Sequence, residues 1–282
     1  MNKKAWFVFF SFILSYFATA YSTHSTLIAY PNFYENPLLD ETMRRKMAPY
    51  LLPLDHPIKE KLDILFSSSR VTQSRQTLAA AGFVKVGPVA FGDIMVVRHP
   101  EMPGYIFKFY LDAEPLIKEG VANWAWLVRR CKAARAIKKV IKKKKLKYFT
   151  VPDKWLYILP SDPRSEEPNS EPIILVETYF ELHPNSAKIW KTEVKEKHLD
   201  ELYTIYQSGY GSIHVPKNVP YTSKRKFAFI DTENPKRKVD VKYIKRYLSK
   251  EMGEYWQQKI QGLLNGRFNS IDPQLAPTED GG

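Results

Sequence analysis

Asn218 and Asp231 carry oxygen atoms of the kind that a hard cation takes. They bracket a basic connector and the apolar run Lys226–Ile230, within the stretch GSIHVPKNVPYTSKRKFAFIDTE from Gly211 to Glu233. An amide carbonyl and a carboxylate are the oxygen ligands that magnesium takes, and Glu233 adds a second carboxylate two positions on. An acid closing a buried strand also occurs for purely structural reasons, so both readings of Asp231 stand. His214, in the loop before Asn218, titrates near neutrality and is either a proton acceptor or a loop anchor. Far upstream, Lys108 alternates with Ile106 and Tyr110 in YIFKFYLD, which points its ammonium either into a cleft or into solvent.

The elements that must position these groups follow from periodicity and punctuation. After a lead-in rich in Pro and Tyr, helices are expected over about 40–50, 57–66 and 72–81, the last stopping at Gly82. From Gly82 the period shortens: FVKVG, DIMVVRHP and YIFKFYLD read as strands, with HPEMPG as a hairpin turn. A long helix is expected from Glu114 to about Lys145, opened by Pro115, with apolar positions recurring at three and four from Ile117 to Ile141. VPDKWLYILP and PIILVETYFEL read as two more strands flanking a mobile polar loop. A helix over about 193–207, the loop and strand around Asn218, and a final helical region over about 241–265 complete the series.

Bulk properties set the class. The 282 residues, 44% hydrophobic and 26% charged, suit a globular chain of one large domain or two lobes. The net charge of +13 favours polyanions, anionic lipid or phosphorylated ligands. Cys131 is the single cysteine, which excludes an intramolecular disulfide, and its place on an apolar helical stripe reads as a buried, inert thiol. Residues 1–20 combine Lys3 and Lys4, an apolar run from Trp6 to Phe17 and the ending Ala18-Thr19-Ala20. That is the pattern of a secretory signal cleaved after Ala20, with an uncleaved anchor as the alternative.

Strand, glycine turn, strand, hairpin, strand, helix, two strands, helix, loop and strand is an order that resembles the protein-kinase fold and its aminoglycoside-phosphotransferase-like relatives. The resemblance covers about residues 82–233. VGPVAFGDIMVV resembles the glycine-rich loop, with Gly87 and Gly92 at its first and last glycines and Val89 in place of the middle one. Lys108, 16 residues after Gly92, resembles the lysine that contacts nucleotide phosphates. The resemblance implies a helix glutamate as its partner, Glu119 or alternatively Glu114, and puts Glu177 and Tyr179 beside an adenine ring. Asn218, Asp231 and Glu233 then hold magnesium, while Ser212 stands where the family has its catalytic aspartate, leaving His214 as a substitute base. No Ala-Pro-Glu motif follows, and only a short segment remains after Asp231.

The implied fold is α+β and two-lobed: a signal at 1–20, an N-terminal helical extension at 21–81, a small β-rich lobe with the long basic helix at 82–182, a reduced helical lobe at 183–270, and a disordered tail at 271–282. The implied function is an exported bacterial pseudokinase acting as a binding module for a protein or host target, with Mg-ATP as its ligand. An active atypical phosphotransferase is the alternative. Eleven Lys and Arg between Arg129 and Lys147 add a third reading, a basic surface for an anionic membrane or another polyanion, with nucleic acid ranked below these.

Overall fold

The computed structural model describes residues 31–87, 94–114, 117–118, 120–167, 170–210, 214–232 and 241–268. The expected signal and tail, and Val89, Gly92, Glu119, Ser212 and Glu233, lie outside the described residues. The fold is mixed α+β around an antiparallel five-stranded sheet. The chain divides into two compact units, one of residues 1–135 and 153–179 and one of residues 136–152 and 180–282.

In the first unit the helices are α1 (Pro31–Glu35), α2 (Glu41–Met47), α3 (Lys59–Ser68) and α4 (Arg75–Ala80). Asp40 starts α2 by accepting the Met43 amide at 2.7 Å, and Ser74 and Thr77 start α4 with a reciprocal capping box. Beyond α4, Gly82 turns the chain at φ +84°, where a Cβ would meet His99 Nε2 at 3.0 Å, so any other residue there is strained. Strands β1 (Val84–Lys85), β2 (Met95–Arg98) and β3 (Tyr105–Phe109) follow, then a small hairpin of β4 (Ile117–Lys118) and β5 (Val121–Ala122). Helix α5 (Asn123–Lys144) leads through β6 (Phe149–Thr150) to β7 (Lys154–Ile158) and β8 (Ile173–Thr178). The sheet order is β1-β2-β3-β8-β7.

Period-two alternation sorts the side chains of this sheet into two cores. Phe107, Phe109, Tyr157, Ile174 and Val176 face Leu62, Phe66 and Leu78 of α3 and α4. Tyr110, Leu156, Ile158, Ile173 and Leu175 face Met47 of α2 and Leu127, Val128 and Cys131 of α5. β8 is covered on both sides, which is why it reads as the unbroken apolar run IILV. The helices expected as an N-terminal extension thus build both faces of the sheet, and each buried Leu or Phe contributes about 1.5–3 kcal/mol.

The long helix begins at Asn123 and not at Glu114. Gly120, at φ +70°, makes the β4–β5 turn, and β-branched Ile117 and Val121 enter strands whose spacing happens to match a helical stripe. The polar loop before β8 also ends differently from expectation, because Glu171 is buried. Asp112 receives Arg70 Nε at 2.7 Å, Arg70 Nη2 at 2.9 Å and the Glu171 amide at 2.8 Å, while Arg70 Nη2 also donates to the Glu171 carbonyl at 2.8 Å. Asn123, at the start of α5, donates to Glu171 Oε1 at 2.8 Å.

Burial pushes the Glu171 carboxyl up to about 7, helped by Asp112 and opposed by the Asn123 hydrogen bond and Arg70. The folded chain therefore keeps a proton that the unfolded chain sheds above the ordinary carboxylate range. Stability on this account is full at low pH and is lost as pH rises through about 7. Glu171→Gln keeps the acceptor for Asn123 and removes the charge. The variant is expected to exceed the parent above pH 7 by on the order of 3 kcal/mol and to match it near pH 4, in urea melts at the two pH values. A gap that is the same at both would exclude ionisation as its cause.

The second unit holds α6 (Ser186–Thr192), α7 (Glu196–Gln207), α8 (Val215–Asn218), a 3-10 segment (Val241–Tyr247) and α9 (Lys250–Phe268), with β9 (Phe227–Ala228) paired in parallel to β6. Its core gathers Leu199, Leu202 and Ile205 from the apolar stripe of α7 with Trp190, Trp256, Phe149, Phe227 and Phe229. Among the described residues no helix is long and apolar enough to cross a membrane.

Candidate functional site

Lys108 lies inside the first unit, 7% exposed, with its ammonium 2.9 Å from Glu177 Oε2. Lys154 reaches the same oxygen at 2.9 Å from the other side, and its side chain is fully buried. The register explains the meeting. Lys154 stands directly across from Glu177 in the β7–β8 pair, and Lys108 stands across from Leu175, which makes Glu177 its diagonal neighbour. Direct and diagonal cross-strand positions on one face are within reach of long side chains. Lys108, Lys154 and Glu177 therefore share the α5 face of the sheet with Cys131.

Burial acts on every group of this cluster. It lowers Lys154 to about 8, with Glu177 opposing and Lys108 and Arg130 reinforcing the shift. For Glu177 burial works toward the neutral form, but the two ammonium groups outweigh it and hold the carboxyl below its usual range. Cys131 is 0% exposed and its thiol is pushed up to about 12 by burial, which makes it the inert cysteine expected from its stripe.

Tyr179, expected beside an adenine ring, is held on both its ends. Its backbone N–H donates to the Gly104 carbonyl at 2.8 Å, and the Arg98 guanidinium lies over its ring at 4.2 Å. Glu177 itself belongs to a strand paired on both edges, to β3 and to β7. Gly87, two residues past β1, takes φ +77°, a backbone conformation that favours glycine although the space around it is open. Glu114 is buried, at 3% exposure.

In the second unit the chain brings Asn218 and Asp231 together through the backbone. The Asn218 carbonyl, at the end of α8, accepts the Ile230 amide at 3.0 Å and the Asp231 amide at 3.4 Å. Val219, next in line, accepts the Trp190 indole at 2.9 Å, which anchors the loop to the core. Asn218 and Asp231 are both half-buried. The strand expected to run from Lys226 to Ile230 is regular only over Phe227–Ala228, because the chain bends after Phe229 to bond with the loop. Among the described residues no three His, Cys, Asp or Glu side chains group as metal ligands.

His214 is exposed at the start of α8, with Nδ1 3.4 Å from both Tyr247 Oη and Arg246 Nη2. Arg246 Nη2 donates to Tyr247 Oη at 2.6 Å. A hydroxyl and a guanidinium aimed at Nδ1 tie the imidazole to the 3-10 segment, an anchoring geometry.

No protein-family model matches the chain, and no curated protein matches it significantly. The assignment of chemistry thus rests on the residues themselves. Lys154 is the member of the buried cluster that the sequence reading missed. Its cue was parity, since Lys154, Leu156 and Ile158 fall on one face and a lysine on an apolar face needs a buried counter-charge.

Proposed function

We propose that this chain is an exported, kinase-like binding module that has lost phosphoryl transfer. The observation that carries the reading is the burial of Lys108 against Glu177 with Lys154 on the same oxygen. A phosphate-contacting lysine must present its ammonium to a ligand. Here the ammonium is withdrawn into the sheet, on the face packed by α5. The Tyr179 amide, which a purine would need, is engaged by Gly104, and the loop position for a catalytic aspartate is Ser212. A positioned base is worth about a hundred- to ten-thousandfold in rate, so its loss leaves a weak enzyme at best. The two-lobed kinase-like architecture belongs to the same proposal. It is supported by the strand order β1-β2-β3-β8-β7 and by a helix between the third strand and the last two.

One observation favours an active phosphotransferase instead. The Asn218 backbone carbonyl accepts the Asp231 backbone amide, so the two residues that the kinase resemblance assigns to magnesium are neighbours through the main chain. Phosphoryl transfer depends mainly on positioning and electrostatics, so such a pair with Mg-ATP would retain some turnover.

Thermal melting of the purified protein with increasing Mg-ATP separates the two. A ligand at a hundred times its dissociation constant stabilises by about 2.7 kcal/mol, a shift of several degrees. No shift is expected up to millimolar Mg-ATP. A saturable shift that disappears in both Lys108→Ala and Asp231→Ala would show that these residues hold Mg-ATP, and phosphate release from that complex would then decide for the enzyme; a shift that survives both would place a nucleotide elsewhere on the chain.

A further inference from the structure

The basic run Arg129–Lys147 is not one uniform face. Arg130 is buried, and Arg129 lies over the Trp126 ring at 4.6 Å, so the exposed charge begins further along α5. Lys142–Lys145 end the helix, with Lys145 in the left-handed region at φ 53°, and the chain then turns into β6. Glu201 of α7 fixes that turn, its two carboxylate oxygens accepting the Lys147 and Tyr148 amides at 2.8 Å each.

Two further segments bring cations to the same place. Parallel pairing of β6 with β9 sets Phe149 across from Phe227, and the Phe227 amide donates to the Tyr148 carbonyl at 2.8 Å. The residues entering the two strands, Lys147 on one and Lys224–Lys226 on the other, therefore run side by side. Arg225 takes φ 59° there, which makes a tight basic tip. At the start of α7, the His198 ring packs edge-on to Tyr148 at 4.5 Å, and Lys197 Nζ lies over the Tyr148 ring at 4.7 Å. Lys195 is two residues before it. Burial together with Lys197 and Lys195 lowers His198 to about 4, as a positive neighbourhood requires.

Lys142–Lys145, Lys147, Lys195, Lys197 and Lys224–Lys226 are all exposed. Among the described residues none of their side chains has a carboxylate at ion-pair distance. Ten exposed cations on three segments of one unit repel each other, and an anionic surface against them lowers that cost.

We propose that this three-segment basic rim docks the chain on an anionic lipid surface. Lysine dominates it, with Arg225 the single guanidinium. Ammonium groups are hydrated point charges that suit a diffuse field of headgroups, whereas recognition of individual nucleic-acid phosphates favours the fork geometry of arginine. Docking through the rim needs no nucleotide.

The test is vesicle flotation of the purified protein, on phosphatidylcholine alone and with roughly one third phosphatidylserine, at low salt and at high salt. Binding is expected only to the anionic vesicles and is expected to be released by salt. Each cation near such a surface is worth about fivefold in partition. Triple charge reversal at Lys224, Arg225 and Lys226 to Glu should lower binding at least tenfold with unchanged melting. The same loss is expected from Lys142, Lys143 and Lys145 to Glu, although the two triplets are far apart in sequence. Three outcomes would overturn the proposal: binding indifferent to phosphatidylserine, a Lys224–Lys226 variant that floats like the parent, or a short RNA that displaces the protein from vesicles at equal charge concentration.

Discussion

Glu177→Gln is expected to be the most damaging single substitution at the centre of the sheet, and Lys154→Met the most tolerated. Glu177 is the carboxylate that both ammonium groups approach at 2.9 Å, and Lys108 and Lys154 are both buried. Removing its charge takes a counter-charge at 2.9 Å away from two buried cations, in a medium that disfavours charge. Breaking one partner of a buried pair costs on the order of 3–5 kcal/mol, and here one carboxylate serves two. Lys154→Met instead removes one of two like charges, fills similar volume and leaves Lys108 with Glu177. Its cost should stay below about 1 kcal/mol, or become a gain at neutral pH. The pH dependence carries the sign. Burial lowers Lys154 to about 8 from the ordinary 10.5, so between those values the unfolded chain binds a proton that the folded chain lacks. The Lys154 contribution to stability is present above the higher value and is lost as pH falls through about 8. The difference in urea midpoint between parent and Lys154→Met should therefore shift in favour of the parent as pH rises above 8. Equal damage from both substitutions, or a difference flat across pH, would mean that the cluster is held by something other than these charges.

What the sequence made legible was whatever repeats locally. Alternation in YIFKFYLD and PIILVETYFEL located β3 and β8, and Asp40 and the Gly82 turn marked helix ends that the structure places within a few residues. The length of α5 was overread because Ile117 and Val121 satisfy a helical period while Gly120, a turn residue, lies between them. The buried cluster was half legible. Lys108 was singled out by its spacing from Gly92, but its partner lies in another strand, and register between strands distant in sequence is set by tertiary pairing that no single run encodes. Glu171 was hidden by composition, since its loop is rich in charge and proline and gives no sign that its last residue turns inward. The basic rim was legible only in its α5 part. Lys195, Lys197 and Lys224–Lys226 join it through the β6–β9 pairing, a parallel contact of two residues on each strand.

Asp112→Ala tests the other buried network and should be nearly as costly as the loss of Glu177. Asp112 is 1% exposed and accepts four hydrogen bonds: two from Arg70, one from the Glu171 amide and one from the Thr72 hydroxyl at 3.3 Å. These tie the segment between α3 and α4 and the loop before β8 to the end of β3, three pieces of chain that no strand pairing connects there. Truncation leaves the Arg70 guanidinium, itself 7% exposed, with the Glu171 carbonyl as its remaining hydrogen-bond partner among the described residues. The expected loss is on the order of 3–5 kcal/mol. Adding Arg70→Met to Asp112→Ala should recover part of it, because an apolar pair does not carry a buried charge that lacks its counter-ion. The cycle of single and double variants, measured by urea melts, reads the coupling directly. A double variant as unstable as the sum of the two singles would show that Arg70 and Asp112 act independently, and the network would then be a set of separate contacts. Recovery in the double variant, together with the pH-dependent gain of Glu171→Gln, would locate the electrostatic strain of this unit at Glu171 and its binding strength at Asp112.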